Sequence, residues 1–470
     1  MSTISQIKIH FLGAAGTVTG SKYLIETTDK TLLFDCGLFQ GLKELRALNW
    51  NKFPVDPATI DVVLLTHGHL DHTGYLPRMV QQGFVGKILG TIPTLQVTKI
   101  ILEDSARIQE EDAELANAEG FSKHHPAVPL YDSMDVKNTL PLFQPQLPDV
   151  WINISKEIQC RFRYNGHIIG ATFIELKIGS KVIVFSGDIG REKDALMYPT
   201  QKPEHADIVL IESTYGNRMH SENAEESLAA LINRNNSKQG TIIIPSFAVE
   251  RTQTLMYLLH QFKKKKIISD IPIYMDSPMG ETVLDVFRDN PSWHKLSKNE
   301  MDEMCKDVKL IKTIRETYDL SKSGKPKIII AGSGMASGGR VLTYFVQYLG
   351  DPSATVLLVG YQAEGTRGRA LLEGAKEIKL FGKYFPVRAE VKNIEGLSSH
   401  ADQQGLISWL SKLDSDPENI FIVHGEPDAA LALKDQINKV YNWDAIILEL
   451  NQSVIIQTIN VSEHLSQKVN

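Results

Sequence analysis

Short apolar runs, dense in Val and Ile and bounded by Gly, Pro or polar residues, recur along the whole chain. Runs of this length and β-branched content predict buried strands. They begin at Asp61 (DVVLLTH), Lys181 (KVIVFSGD), Ala206 (ADIVLIEST), Thr241 (TIIIPSF), Lys327 (KIIIAGSG), Thr355 (TVLLVGYQ) and Asn419 (NIFIVHGE). Helical spacing falls between many of them, as over 252–262 and 339–349. Strands alternating with helices predict α/β layers.

Nearly every run ends in a polar or Gly-containing cluster: His67, Asp188, Glu212, Ser246, Ser333 and His424. Ligands of open α/β sheets bind beyond the carboxyl ends of strands, so these residues are expected along one edge. The stretch 103–146 is rich in Glu, Asp, Lys and Asn with helical spacing, and predicts surface helices inserted between strands. The lysine run 263–266 suits the C-terminal turn of a helix. The string GAAGTVTG at 13–20 lacks GxGxxG spacing, and SKYLIET after it reads as a strand. A strand–turn–strand hairpin is therefore expected, not a dinucleotide fold.

A chain of 470 residues exceeds one ordinary core, so two domains or one domain with a large insertion is expected. A net charge of −6 does not advertise nucleic-acid binding, but leaves room for a local basic groove. Cys36, Cys160 and Cys305 form no CxxC pair, which argues against a disulfide framework and fits a reducing cytosol. No signal peptide is read at the N-terminus, and no apolar run reaches the roughly 18 residues of a membrane helix. The expected location is cytoplasmic, with no membrane partner.

The string HGHLDH at 67–72 changes the picture. It packs three histidines and an aspartate into six residues. His67 and His69, two apart in an extended segment, can point the same way, while Asp71 and His72 point elsewhere. That arrangement suits two adjacent metal ions. Imidazole with carboxylate suits zinc, with manganese and iron as alternatives. Further ligand candidates stand near strand ends: His167 in NGHIIGA, Asp188 in FSGDIG and Asp35 in LLFDCG.

The ordered set Asp35, HGHLDH, His167, Asp188 resembles the metallo-β-lactamase fold of hydrolases. The resemblance implies an α/β architecture, an αββα sandwich of two mixed sheets flanked by helices, with the metals at one edge. By that resemblance His67, His69 and His167 would bind one metal. Asp71 and His72 would bind a second, Asp188 would bridge them, and Asp35 would orient ligand loops.

Residues far downstream narrow the reading. Glu212 in LIESTYG, His400 in GLSSHADQQ and His424 in FIVHGE frame a segment of its own α/β rhythm. With SFAVERTQ, DSPMGE, GSGMASGGR and GYQAEGTRGR they resemble the β-CASP branch of the fold, over essentially the whole chain. The likeness is to the endonuclease-subunit group of the cleavage and polyadenylation specificity factor and its shorter prokaryotic relatives. It implies a metallo-β-lactamase domain at 1–213 and 395–470, with a β-CASP domain inserted at 214–394. No RNA-binding extension is seen before the first strand, unlike archaeal relatives with KH domains. His424, where DNA-directed members commonly carry Val, favours RNA.

The implied function is a metal-dependent ribonuclease, endonuclease or 5′-to-3′ exonuclease, acting on single-stranded RNA with two zinc ions. Water activated between the metals would attack the phosphodiester. Asp71, His400 and Glu212 are the catalytic candidates. His424 would complete the second metal's shell, His400 would protonate the leaving oxygen, and Glu212 would hold His400. Ser246, Ser333, Ser337, Arg251, Arg340, Arg367 and Arg369 are candidates for holding RNA phosphates. Two rival readings are a small-molecule hydrolase of the same fold and a non-catalytic RNA-binding subunit. The oligomeric state, a homodimer included, stays open.

Overall fold

The computed structural model describes residues 4–120, 125–324 and 326–459. Two seven-stranded sheets face each other. The first runs Ser453–Ile459, Ile4–Phe11, Tyr23–Glu26, Thr31–Phe34, Val62–Leu64, Lys87–Thr91, Phe143–Gln146. The second runs Ala445–Ile447, Asn419–Val423, Ile208–Glu212, Lys181–Phe185, Thr172–Ile178, Ile158–Tyr164, Ile152–Asn153. Both mix parallel and antiparallel pairs.

Period-2 alternation decides which side chain enters which layer. Leu32, Phe34 and Leu64 point between the sheets, where Ile174, Phe185, Leu210 and Phe421 meet them. The Phe34 and Phe185 rings stack across this gap with centroids 3.5 Å apart. Their neighbours Leu33, Val63 and Leu65 point outward onto Leu76, Met79, Leu95 and Leu102 of flanking helices. On the second sheet Val209, Ile211, Ile420 and Ile422 likewise meet Leu406, Trp409, Leu433 and Ile437. Helix–sheet–sheet–helix layering follows directly from these two alternating faces.

A third sheet, of six strands, runs Val308–Leu310, Ile273–Asp276, Lys327–Ala331, Thr241–Pro245, Thr355–Leu358, Glu390–Asn393, all parallel. Its central strands are covered on both faces, Ile242 and Ile328 on one side and Ile243 and Ile329 on the other. That is why TIII and KIII read as unbroken apolar runs. Its strands all fall between Thr241 and Asn393, and the chain then returns to the sandwich at Asn419.

The hairpin expected around 13–20 is present: Ile4–Phe11 pairs antiparallel with Tyr23–Glu26. The helix expected to end in the lysine run spans Arg251–Lys264, and that expected over 339–349 spans Val341–Tyr348. The stretch 103–146 differs from expectation. Its first helix begins earlier, at Ile92, where the Thr91 hydroxyl caps it, and runs 28 residues to Glu119. Residues 121–124 lie outside the described residues. The stretch ends not in a helix but in the strand Phe143–Gln146, which extends the first sheet. The sequence FQPQ carries no strand pattern, and only pairing with Lys87–Thr91 makes it one. Among the described residues no helix is long and apolar enough to cross a membrane.

Candidate metal centre

The strand Val62–Leu64 ends two residues before Thr66, so His67 to His69 leave the sheet as extended chain. His69 then precedes the short helix Leu70–Thr73, whose first turn carries Asp71 and His72. The helix turns these two away from His67 and His69. Gly37 is required behind them, since a Cβ there would sit 1.6 Å from Asp71 O. Gly187 has φ +53, and a Cβ would strike the Thr66 side chain at 2.7 Å, so only glycine brings Asp188 this close. Asp35 and His424 also hold positive φ, 54° and 49°. Such conformations are costly for residues with side chains, and cluster where function requires them.

Two groups of ligand atoms result. In the first, His67 Nε2 lies 3.1 Å from His69 Nδ1, and His167 Nε2 lies 3.3 Å from that same atom. Asp188 Oδ2 is 3.5 Å from both His67 Nε2 and His167 Nε2. In the second, His72 Nε2 and His424 Nε2 are 3.1 Å apart, and Asp71 Oδ2 lies 3.4 Å from His424 Nε2. The other Asp188 oxygen, Oδ1, lies 3.3 Å from His72 Nε2. Asp188 therefore offers one oxygen to each group.

These spacings fit metal. A tetrahedral zinc with bonds of about 2.1 Å places its ligand atoms roughly 3.4 Å apart. Asp188 Oδ1 is buried without a hydrogen-bond partner, although nitrogens surround it. A buried carboxylate left so is costly unless a cation compensates it. Burial, the largest cause, holds the His67 imidazole well below its ordinary pKa. Burial is the largest cause at His69, which is lowered to about 4, and at His167, where the His400 charge adds to it. Neutral imidazole is the form that binds a metal.

Surrounding groups fix the ligands. Asp35 Oδ2 accepts from His72 Nδ1 at 2.7 Å, and Asp35 also accepts from Thr66 N and Thr66 Oγ1, both at 2.8 Å. Thr214 Oγ1 lies 3.1 Å from His424 Nδ1. Asn165 Nδ2 donates to the carbonyls of Ser186 and Asp188, bracing the Asp188 loop. Such partners set the tautomer and aim of a metal-binding imidazole.

His400 stands beside the two groups, its Nδ1 3.3 Å from Glu212 Oε1 and its Nε2 3.9 Å from Asp188 Oδ2. Burial pulls the His400 pKa down, but the Glu212 and Asp188 carboxylates outweigh it, and the net direction is up. Glu212 is itself fixed by Ile189 N at 2.6 Å and Thr214 N at 3.2 Å.

Sequence reasoning missed His220, whose Nε2 donates to His400 O at 2.7 Å while its N–H donates to Asp402. It also missed Thr66, Asn165, Thr214 and Tyr215, whose ring lies 5.9 Å from that of His400. No local pattern marks a lone histidine whose partner is 180 positions away.

The candidate phosphate residues lie elsewhere. Ser246 and Ser333 follow strands of the third sheet, not of the sandwich. Ser333 Oγ accepts from Ser337 N and Gly338 N, so that hydroxyl occupies the amide-lined turn expected to cradle a phosphate. Arg340 pairs with the buried Asp276 and donates to the Ile311 and Lys312 carbonyls. Arg251 is buried beside Asp194 and Glu250, away from the surface where a phosphate contact was expected. Arg367 donates to the carbonyls of Lys379 and Ser337, and Arg369 pairs with Glu373. Arg340, Arg367 and Arg369 thus already have partners within the chain.

Residues 15–245 match the metallo-β-lactamase superfamily, 252–371 the β-CASP domain, and 384–448 the zinc-dependent metallo-hydrolase RNA specificity domain. A protein named ribonuclease in Thermus thermophilus is 34% identical over 432 residues, covering 90% of this chain and 94% of its own length. The chain belongs to the β-CASP branch of the metallo-β-lactamase superfamily. Other relatives are named transcription termination factor FttA. That of Methanocaldococcus jannaschii is 30% identical and that of Methanosarcina mazei 29%; the alignments span 93% and 92% of this chain and 69% of each relative. A crystal structure of a protein of unknown function from Enterococcus faecalis shares the fold. Its TM-score is 0.54 at 14% identity, covering 96% of this chain and all of that one. As a β-CASP protein with a His/Asp cluster, the chain is a metal-dependent hydrolase.

Proposed function

We propose that the protein hydrolyses phosphodiester bonds of single-stranded RNA with two zinc ions, manganese being the alternative metal. The observation that carries this reading is His400, held between Glu212 and Asp188 with Nε2 toward the ligand cluster. A hydrolase of lactams or thioesters needs no such second acid beside its metals. The ribonuclease name of the Thermus thermophilus relative and the RNA specificity match over 384–448 point the same way.

His67, His69 and His167 would hold one metal; Asp71, His72 and His424 the other; Asp188 would join them. When bound, the pair supplies a nucleophilic water at neutral pH and neutralises charge on an in-line displacement. Two ligand carboxylates, Asp71 and Asp188, leave two dications with excess positive charge, which a phosphodiester anion complements and a neutral lactam does not. Asp35 keeps His72 Nδ1 protonated, so Nε2 presents its lone pair. Glu212 favours the His400 imidazolium, which gives its Nε2 proton to the leaving ribose oxygen. His220 holds the His400 backbone in place for that transfer.

The test sets purified protein against single-stranded RNA, an acyl-thioester and a lactam. RNA cleavage is expected, leaving 5′-phosphate and 3′-hydroxyl ends. Lactam or thioester turnover without RNA cleavage overturns the reading. End-labelled and circular RNAs separate endonuclease from 5′-to-3′ exonuclease action, since only an endonuclease cuts a circle.

A further inference from the structure

A two-stranded hairpin, Glu377–Leu380 with Lys383–Pro386, stands apart from the three large sheets. Ile378 and Leu380 anchor it in the core on one face of the third sheet. Its turn, Phe381–Gly382, has φ of 48° and 78°. Positive φ at both turn residues is the type I′ arrangement, for which Asn-Gly is preferred. A bulky side chain at the first position is strained. Phe381 is nonetheless 66% exposed, so burial does not offset the strain. Tyr384 is 63% exposed. It stands directly opposite Lys379, whose Nζ lies 5.8 Å from its ring centroid. A strained, exposed aromatic that serves no core marks a surface kept for a partner.

The chemistry of that partner is anionic. Residues 376–388 carry Lys376, Lys379, Lys383 and Arg388 against Glu377, on a chain of net charge −6. Among the described residues none of these four cations is ion-paired with a carboxylate. The hairpin is also tied to the metal centre by one continuous segment. Arg367 donates Nε to Lys379 O at 2.9 Å. Six residues earlier, Tyr361 donates its hydroxyl to Glu426, two residues beyond His424. The Tyr361 ring lies 6.2 Å from that of Tyr215, which lies 5.9 Å from His400. The match to the RNA specificity domain begins at Tyr384 itself.

We propose that this hairpin is a stacking platform for single-stranded RNA bound at the metal centre. Phe381 and Tyr384 each offer a ring to one base, and Lys379, on the same face as Tyr384, meets an adjacent phosphate. Base–aromatic stacking tolerates any sequence, and cations along the strand give salt-dependent grip. The inference rests on the phosphodiesterase reading above, but its failure is distinguishable.

The test compares cleavage by the metal-loaded full chain of a labelled oligouridylate of about 24 nucleotides and one of about four, too short to span a site of the usual single-strand length. The double variant Phe381→Ala/Tyr384→Ala is expected to raise KM for the long RNA roughly 10- to 100-fold, the range of one to two lost stacking contacts, with kcat unchanged. KM for the short RNA stays as in the parent. Phe381→Asn creates the favoured Asn-Gly turn, so it should fold at least as well yet still weaken long-RNA binding, which excludes misfolding as the cause. Phe381→Trp, which keeps a stacking ring, should bind the long RNA at least as well as the parent. An unchanged long-RNA KM in both Phe381→Asn and the double variant overturns the platform. The same holds if the hairpin variants lose only binding to anionic lipid vesicles. If the parent protein cleaves neither RNA, the phosphodiesterase reading has failed, not the platform alone.

Discussion

His400 Nδ1 lies 3.3 Å from Glu212 Oε1, a carboxylate pinned in turn by two backbone N–H groups. The pair sets a pH limit. A group that must be protonated to act loses its rate as pH rises through its pKa. The His400 pKa is raised, since the carboxylates outweigh burial, so the fall lies at higher pH than for an ordinary imidazole of about 6.5. Glu212→Gln removes one raising charge. The alkaline limb of kcat against pH for RNA cleavage should then move to lower pH. An alkaline limb that stays where it was removes His400 from the role of acid.

Asp188 and His400 should separate metal binding from proton transfer. Asp188→Ala is expected to lose metal at both positions and abolish cleavage, because its two oxygens face two different groups. His400→Ala should keep its metal and lose roughly 100- to 10,000-fold in rate, the worth of a positioned acid. Elemental analysis of each purified variant beside its cleavage rate decides both. A native protein carrying one ion or fewer per chain would end the two-metal scheme.

Asp35→Asn tests orientation without removing a ligand. Asp35 Oδ2 accepts from His72 Nδ1 at 2.7 Å, and losing that charge should weaken metal at the His72 group about 10- to 100-fold. Competition against a chromophoric chelator reads this. The His67 group should be weakened less, since Asp35 reaches it only through Thr66.

His220→Ala should lower kcat with little change in KM or in metal content, because His220 donates to the His400 carbonyl and Asp402 and packs its ring on Tyr215, none of them a ligand candidate. A loss of about tenfold corresponds to the roughly 1.4 kcal/mol of one well-made hydrogen bond. Loss of metal in this variant would show that His220 supports the ligand cluster instead.

Phe34→Ala removes one half of the stacked pair that joins the two sandwich sheets. With Phe34 fully buried, about 3–5 kcal/mol of stability should be lost in chemical denaturation.

Much of the centre was legible because metal chemistry restricts residue types. Few side chains bind zinc, so HGHLDH stands out, and His167, Asp188 and His424 stand out once strand ends are known. The supporting residues were silent. Thr66, Asn165 and His220 are common residues whose roles depend on a carboxylate or carbonyl met only in three dimensions. For arginine the structure adds surroundings that the sequence does not show. Arg340 and Arg251 read as cations seeking phosphate, yet Arg340 pairs with the buried Asp276 and Arg251 is buried beside Asp194 and Glu250.

The sequence by itself determined the alternation that builds the layers, since inward and outward faces follow from the period of two in Leu32–Leu33–Phe34 and Ile208–Val209–Leu210. It also marked which side chains are candidates for the chemistry. Only the tertiary structure decided how they divide. The helix Leu70–Thr73 turns Asp71 and His72 away from His67 and His69, and the positive φ of Gly187 carries Asp188 between them. Ligand grouping is a matter of distances of 3 to 4 Å between atoms up to 353 residues apart, and such distances are set by packing, not by order along the chain.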